Sequence, residues 1–299
     1  MKYYFLLLLS ALLLHACIDE DTSGCPTPTP ELEVLLRVTG SYTSDDLDKL
    51  DLWIEQPHHN HWLRVRNYTV EEIAGKDYIA VRLPADHQYN MVAVGNAKSA
   101  SVVVAPLPQD CLCDDTQQGF FPSANSTVSY AAHPFLPNGY QPVDNLFMSL
   151  PTPLSVPRES AMPVRADIPI DRVVSLVKLI VNTNSLTGQK VTITVFDTAS
   201  GRRFNAEHLA KDRPVYNAGT ITGTGYVLNT IIFPSVNDTA DIDIRVEVTN
   251  EATGEVIPFH VDNLHIAAKQ VYIITFDGIT FDVRVEDWNG TIEIELPLT

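Results

Sequence analysis

Three histidines concentrate the metal-ligand chemistry of this chain: His58, His59 and His61, framed by Pro57 and Trp62. On a strand, His59 and His61 share a face, and imidazole nitrogens suit zinc or copper. No acidic or sulfur ligand stands close by, and apolar residues at Ile54 and Leu63 bracket the group. A polar, exposed hairpin loop explains the cluster better than a metal site, and no metal is assigned. Cys111-Leu112-Cys113 has the wrong spacing for a zinc knuckle, and no second cysteine pair follows. Asp19, Asp21 and Ser23-Gly24 begin like a calcium loop, but Pro30 stands where the bidentate acid belongs.

Catalytic patterns are missing. The chain holds no Gly-x-Ser-x-Gly elbow, no His-Glu-x-x-His helix and no P-loop. Gly219, Gly223 and Gly225 lack the spacing of a phosphate-binding turn. No catalytic residue and no cofactor is expected, and the protein is read as a non-enzyme. Trp53, Trp62 and Trp288 are of the type that stacks on sugars, which makes a surface glycan-binding lipoprotein the alternative function. Trp53 and Trp288 nevertheless sit beside alternating strands, where aromatic rings close cores.

Cys17 offers a different chemistry. Met1-Lys2, an apolar run from Phe5 to Leu14, and Leu14-His15-Ala16-Cys17 make a secretory signal over residues 1–16 that ends in a lipobox. The run falls short of the roughly 20 apolar residues needed to span a bilayer. Cys17 is therefore expected to carry lipid on its sulfur and, after cleavage, on its new amino terminus. That leaves Cys25, Cys111 and Cys113, an odd number for an oxidising compartment. Cys111 and Cys113 are too close to pair without strain, so Cys25 is expected to bond to one or the other.

The elements that would position these residues are strands. Residues 17–30 form a lipidated tether in which Pro26, Pro28 and Pro30 favour an extended spacer, reaching roughly 40 Å at about 3 Å per residue. From Glu31 onward short β-branched and aromatic runs alternate and end at Gly, Pro, Asn or Asp. Residues 106–145 break this rhythm, and Pro151, Pro153 and Pro157 mark a boundary. The expected fold is all-β: two tandem transthyretin-like β-sandwich domains, at 31–157 and 158–299, after the signal and Pro-rich tether. Strands are expected over 164–170 and 172–182, both in the second domain, the latter buried on both faces. Single helical turns are expected at 45–50, 71–74 and 207–211. Acids outnumber bases 37 to 20, a net charge of -17 that disfavours nucleic acid and anionic membrane surfaces.

Several stretches resemble the FimB/Mfa2 family of fimbrial anchor and accessory lipoproteins of the Bacteroidetes. They are the Cys17 lipobox with Cys25-Pro26, the segment from Leu83-Pro84 through Tyr89 to Gly95-Asn96, and Asp144-Asn145-Leu146-Phe147. Ile170-Asp171-Arg172-Val173 and, near the end, Lys269-Gln270-Val271-Tyr272 with Asp287-Trp288-Asn289 complete the set. Asp19, Glu20 and Asp21 resemble the surface-export signal of lipoproteins from the same bacteria. The resemblance implies an outer-membrane, surface-exposed lipoprotein of a type V pilus. Its implied partners are fimbrial (pilin) subunits, joined by β-strand complementation, and outer-membrane lipid held through Cys17. It implies no active site.

Overall fold

The computed structural model describes residues 30–40, 47–56, 61–73, 76–97, 102–103, 120–122, 126–205, 207–236, 242–288 and 293–295. Cys17, Asp19, Glu20, Asp21, Cys25, His58, His59, Cys111 and Cys113 lie outside the described residues, and His61 and Trp62 enter only as strand backbone.

The chain begins with β1 (Glu31–Gly40), β2 (Lys49–Gln56), β3 (His61–Thr69) and a single helical turn, α1 (Val70–Ile73). Next come β4 (Ile79–Pro84), β5 (His87–Gly95), β6 (Val102–Val103), β7 (Phe120–Pro122) and β8 (Thr127–Ser129). β9 (Phe147–Ser149), β10 (Thr152–Val156) and β11 (Val164–Arg172) follow. The second half contains β12 (Ser175–Val181), β13 (Lys190–Phe196), β14 (Gly201–Arg203), β15 (Val215–Thr220) and β16 (Tyr226–Ile232). It closes with β17 (Ile242–Thr249), β18 (Val256–Leu264), β19 (Gln270–Phe276), β20 (Phe281–Asp287) and β21 (Glu293–Glu295). Among the described residues no helix is long and apolar enough to cross a membrane.

The first unit is one sheet folded over itself. Its hydrogen-bonded order is β4-β1-β11-β9-β5-β2-β3-β7, with β10 paired to β5. Val34 and Leu36 of β1, Ile79, Val81 and Leu83 of β4, and Ile168 and Ile170 of β11 share a core with Leu50, Leu52, Tyr89, Met91 and Leu154. Strands at both ends of the order can meet only if the sheet curls, and three-residue β9 is its narrow bend. The period-two alternation read for β1 and β4 is the burial pattern itself.

The boundary expected at 157/158 gives way here. β11 was expected to open the second domain, but it pairs parallel with β1 and antiparallel with β9, so the first sheet runs on to Arg172. The prolines at 151–157 interrupt the chain between two strands of one unit. They do not separate two units.

The second unit sets β16-β12-β19-β20-β21 against β15-β13-β17-β18. Val177, Leu179, Val191, Ile193, Val246, Ile274 and Phe276 fill the space between the two sheets. β12 alternates buried and half-buried residues, so its second face is only partly covered, unlike the fully buried strand expected from its composition. Of the expected helical turns, α1 forms. Residues 49–50 belong to β2, and His208 bridges to Arg202 in extended backbone.

Of the irregular stretch before Asn145, β7 belongs to the first sheet, whereas the part from residue 126 onward belongs to this second unit. β8 pairs with β14, Tyr140 bridges to Val215, and the Phe233 N–H donates to the Tyr130 hydroxyl at 2.6 Å. Burial pushes the Tyr130 phenol well above its ordinary range. The chain therefore crosses to the second unit over 126–146, returns for β9 to β11, and crosses again at Val173.

Candidate functional site

The segments at Gly95-Asn96, Asn145–Phe147, Arg172-Val173, Lys269 and Trp288 lie far apart along the chain, yet they converge where the two units meet. Gly95 packs so tightly that an added Cβ would stand 2.5 Å from Leu47 and 3.2 Å from Phe147. Asn96 follows with φ 61°, a left-handed geometry that asparagine tolerates. Its Oδ1 accepts from the backbone N–H of Asp48 at 2.7 Å, and its Nδ2 donates to the Asn145 carbonyl at 2.9 Å. The Asn145 side-chain oxygen accepts from Arg172 Nε at 2.7 Å.

Arg172 is buried, with 3 % of its surface exposed. Its guanidinium carbon lies 4.9 Å from the Phe147 ring centre and 4.3 Å from that of Trp288. Phe147 belongs to the first core, and Trp288 packs against the second. The planar cation is thus held between rings of the two units, an arrangement that suits arginine and not lysine. Backbone bonds tie the same spot: Val173 N–H to Leu146 O at 3.1 Å, Lys269 N–H to Val174 O at 2.9 Å, and Trp288 N–H to Lys269 O at 2.7 Å.

The joint is also apolar. β5 alternates Tyr89, Met91 and Ala93 into the first core with Val92 and Val94 into the second. Trp53 does the same from β2, meeting Phe204 edge-on at 5.5 Å. Trp53 is thus core, not a sugar platform, and Trp288 is partly buried beneath Arg172. The sequence marked Arg172 only as a residue before a hydrophobic strand. Its burial between two rings depends on Phe147 and Trp288, distant positions that no local pattern connects to it.

The second feature concerns the sheet edges. Among the described residues the borders at β4, β7, β10, β11 and β18 carry Pro84, Pro122, Pro153, Pro169 and Pro258. Proline removes a donor and fits a strand where its nitrogen faces away from the ladder, which blunts an edge against further pairing. β15 and β16 lean on each other, with Asn217 Nδ2 donating to the Asn229 carbonyl at 2.7 Å.

Two strands differ. β20 pairs with β19 over Phe281–Asp287 on one side, and among the described residues β21 covers Arg284–Glu286 on the other. β3 likewise pairs with β2 along its length and, among the described residues, with β7 over His61–Leu63. Neither strand contains a proline. The turn leading into β20 is stiff. Asp277 Oδ1 accepts from Thr280 N–H at 2.7 Å and Ile279 N–H at 2.8 Å, and these bonds hold its carboxyl below the usual range. Phe281 at the start of β20 stacks between Phe276 and Phe259, with ring centres 4.0 and 4.1 Å away.

Exposed aromatic surface occurs on the flank of the second unit. Phe135 is 86 % exposed, and His133 beside it lies within ring contact of Tyr216.

Comparison with known proteins places this architecture. None of the curated proteins compared matches the chain. Among solved structures, a DUF1812 protein of Bacteroides thetaiotaomicron, described as a candidate polysaccharide-binding protein, superposes with a TM-score of 0.58. It is 10 % identical, with 89 % of this chain and 98 % of that one covered. A candidate adhesin of Bacteroides ovatus gives 0.57 at 10 % identity, covering 90 % and 96 %. The fimbrial anchor protein Mfa2 of Porphyromonas gingivalis gives 0.49 at 13 % identity, covering 88 % and 99 %. At such identities the first two likenesses speak for the fold alone. The sequence profile described as "Fimbrillin-A associated anchor proteins Mfa1 and Mfa2" matches residues 22–293, nearly the whole chain. The chain belongs to the family of fimbrillin-A associated anchor proteins.

Proposed function

We propose that this fimbrial protein is held in the outer membrane by lipid on Cys17 and receives a neighbouring pilin by β-strand addition along the outer edge of β20. Family membership supports the fimbrial role. The lipobox at Cys17 supports the anchor, and Asp19, Glu20 and Asp21 support export to the cell surface. Among the described residues β20, like β3, has one side paired in full and three residues paired on the other. One observation carries the choice of β20: its uncovered start is held in place by the Asp277 turn and by the stacking of Phe281 between Phe276 and Phe259. An incoming extended strand would pair with the rest of β20, its main chain supplying affinity and its alternating side chains supplying register.

Two experiments test the parts separately. Cys17→Ala should release fimbriae into the medium, and fimbriae that stay on the cells would end the anchor reading. A photo-crosslinking residue at exposed Asp282 should capture pilin, while the same probe at Arg82 on β4 should not. Equal capture at both sites would remove β20 from the proposal. A second reading, glycan contact, is favoured by exposed Phe135. It requires that Phe135→Ala abolish binding on a glycan array.

A further inference from the structure

β1 and β11 run parallel in a fold whose strand pairs are otherwise almost all antiparallel. Their register extends from Val34↔Val164 to Gly40↔Ile170. The tether joins β1 at Glu31, the end of the strand remote from the joint. β11 ends at Arg172, inside the joint, and passes through Val173 and Val174 straight into β12. A pull between the tether and the second unit therefore draws β1 by its start and β11 by its finish. The two strands are drawn past one another along their length.

We propose that β1 and β11 form a shear clamp that carries tension from the tether to the joint. The source of that tension rests on the anchor reading above. The clamp itself is a property of the fold. In shear, the slanted, evenly spaced bonds of a parallel pair are stretched together, whereas peeling breaks them one at a time. β1 is also flanked on its other side by β4, paired from Glu31↔Pro84 to Leu36↔Ile79, so withdrawing it shears two ladders at once. Val34 and Leu36 are fully buried, and sliding them would pull both across the core.

A side-chain tie lies across the same pair. Arg37 and Asp167 are register partners and meet as a fork, with Nε to Oδ1 at 2.9 Å and Nη2 to Oδ2 at 2.6 Å. Both are about half exposed, so the fork adds little to equilibrium stability. Its two bonds nevertheless resist sliding of one strand past the other. The second unit repeats the geometry. β12 leaves the joint parallel to β19, in register from Leu176↔Val271 to Val181↔Phe276, and β19 leads to the remote turn at Asp277–Thr280.

The test is single-molecule stretching of the full mature chain, with its native cysteines replaced by serine and handles on introduced cysteines. Pro30→Cys with Ile279→Cys loads the clamp in shear. Pro30→Cys with Met162→Cys pulls the starts of β1 and β11 apart and peels them. Pro30, Met162 and Ile279 are all exposed. The first geometry should rupture at a force several-fold above the second. Arg37→Ala should lower the shear force while leaving the peeling force and the denaturant midpoint unchanged. Equal forces in the two geometries would overturn the clamp whether or not Cys17 anchors fimbriae. Release of fimbriae by Cys17→Ala cells tests the anchor independently of any force measurement.

Discussion

Arg172 and Trp288, 116 positions apart in the sequence, meet with the guanidinium carbon 4.3 Å from the ring centre. That contact closes the path from the tether into the second unit, because Arg172 is the last residue of β11 and Trp288 directly follows β20. Arg172→Ala would remove the bond to Asn145 and both ring contacts from a buried position. We expect a loss of about 2–3 kcal/mol, the scale of a charged hydrogen bond with stacking. Arg172→Lys should not restore it, since an ammonium cannot stack between two rings while donating in plane. Denaturant unfolding followed by tryptophan fluorescence and by circular dichroism should separate into two transitions in Arg172→Ala. Coincident curves with an unchanged midpoint would show that the contact couples nothing.

Trp53 should matter more to stability than Trp288. It is 3 % exposed, its ring faces the second core, and it meets Phe204 edge-on. Trp53→Ala should cost about 3–5 kcal/mol as a truncated core aromatic. Trp288→Ala, at a partly covered ring, should cost less. The order of the two denaturant midpoints decides the question.

Much of this fold was legible in the residue pattern. Alternation in β1, β4 and β17 gave strands and faces correctly, because burial on one side of a pleat imposes a period of two. Placing Trp53 and Trp288 against cores followed from the same alternation. The division into units was not legible. Pro151 and Pro153 look like a linker, yet β10 contains Pro153 and pairs with β5, because proline at an unpaired edge satisfies a strand as readily as it ends one. The pairing of β1 with β11 was hidden too. Parallel partners more than 120 residues apart leave no turn signal between them. Cys17 is the opposite case: its expected lipidation rests on spacing alone, and it lies outside the described residues.

Gly40 should be irreplaceable at the finish of β1. Its φ is 144°, and an added Cβ would stand only 1.9 Å from the Ile170 carbonyl oxygen. Gly40→Ala must either shift β11 or distort the strand, at a cost of about 1–3 kcal/mol for a strained backbone. Hydrogen exchange should show faster exchange at residues 38–40 and 168–170, with β12 and β19 unaffected. Protection equal to that of the parent would mean that the chain bends away without cost.

The turn before β20 should loosen in acid. The N–H groups of Thr280 and Ile279 lower the Asp277 pKa in the folded chain. The stabilisation is therefore present above the ordinary carboxylate pKa, roughly 4, and is lost as pH falls through the depressed folded value. Amide exchange at Thr280, corrected for its intrinsic pH dependence, should lose protection over that descent. Asp277→Asn keeps an acceptor without the titration and should show no such step. The same acid-induced step in Asp277→Asn would assign the loosening to another group.

The cysteines bear on how tension enters the chain. Cys25 precedes Glu31, so a bond from Cys25 to Cys111 or Cys113 would meet tension arriving from Cys17 before β1 does. It would also close a loop of more than 80 residues, and a disulfide typically adds about 2–4 kcal/mol. Peptide mapping of protein taken from the cell surface without reduction should find Cys25 joined to one of the two and the third thiol free. Reduction should then lower the denaturant midpoint. When the chain is pulled from a handle ahead of Cys25, reduction should also change the rupture force, because all tension must then pass through β1. Three free thiols in the surface protein would rule out the bond and leave β1 as the sole covalent route from Cys17 into the fold.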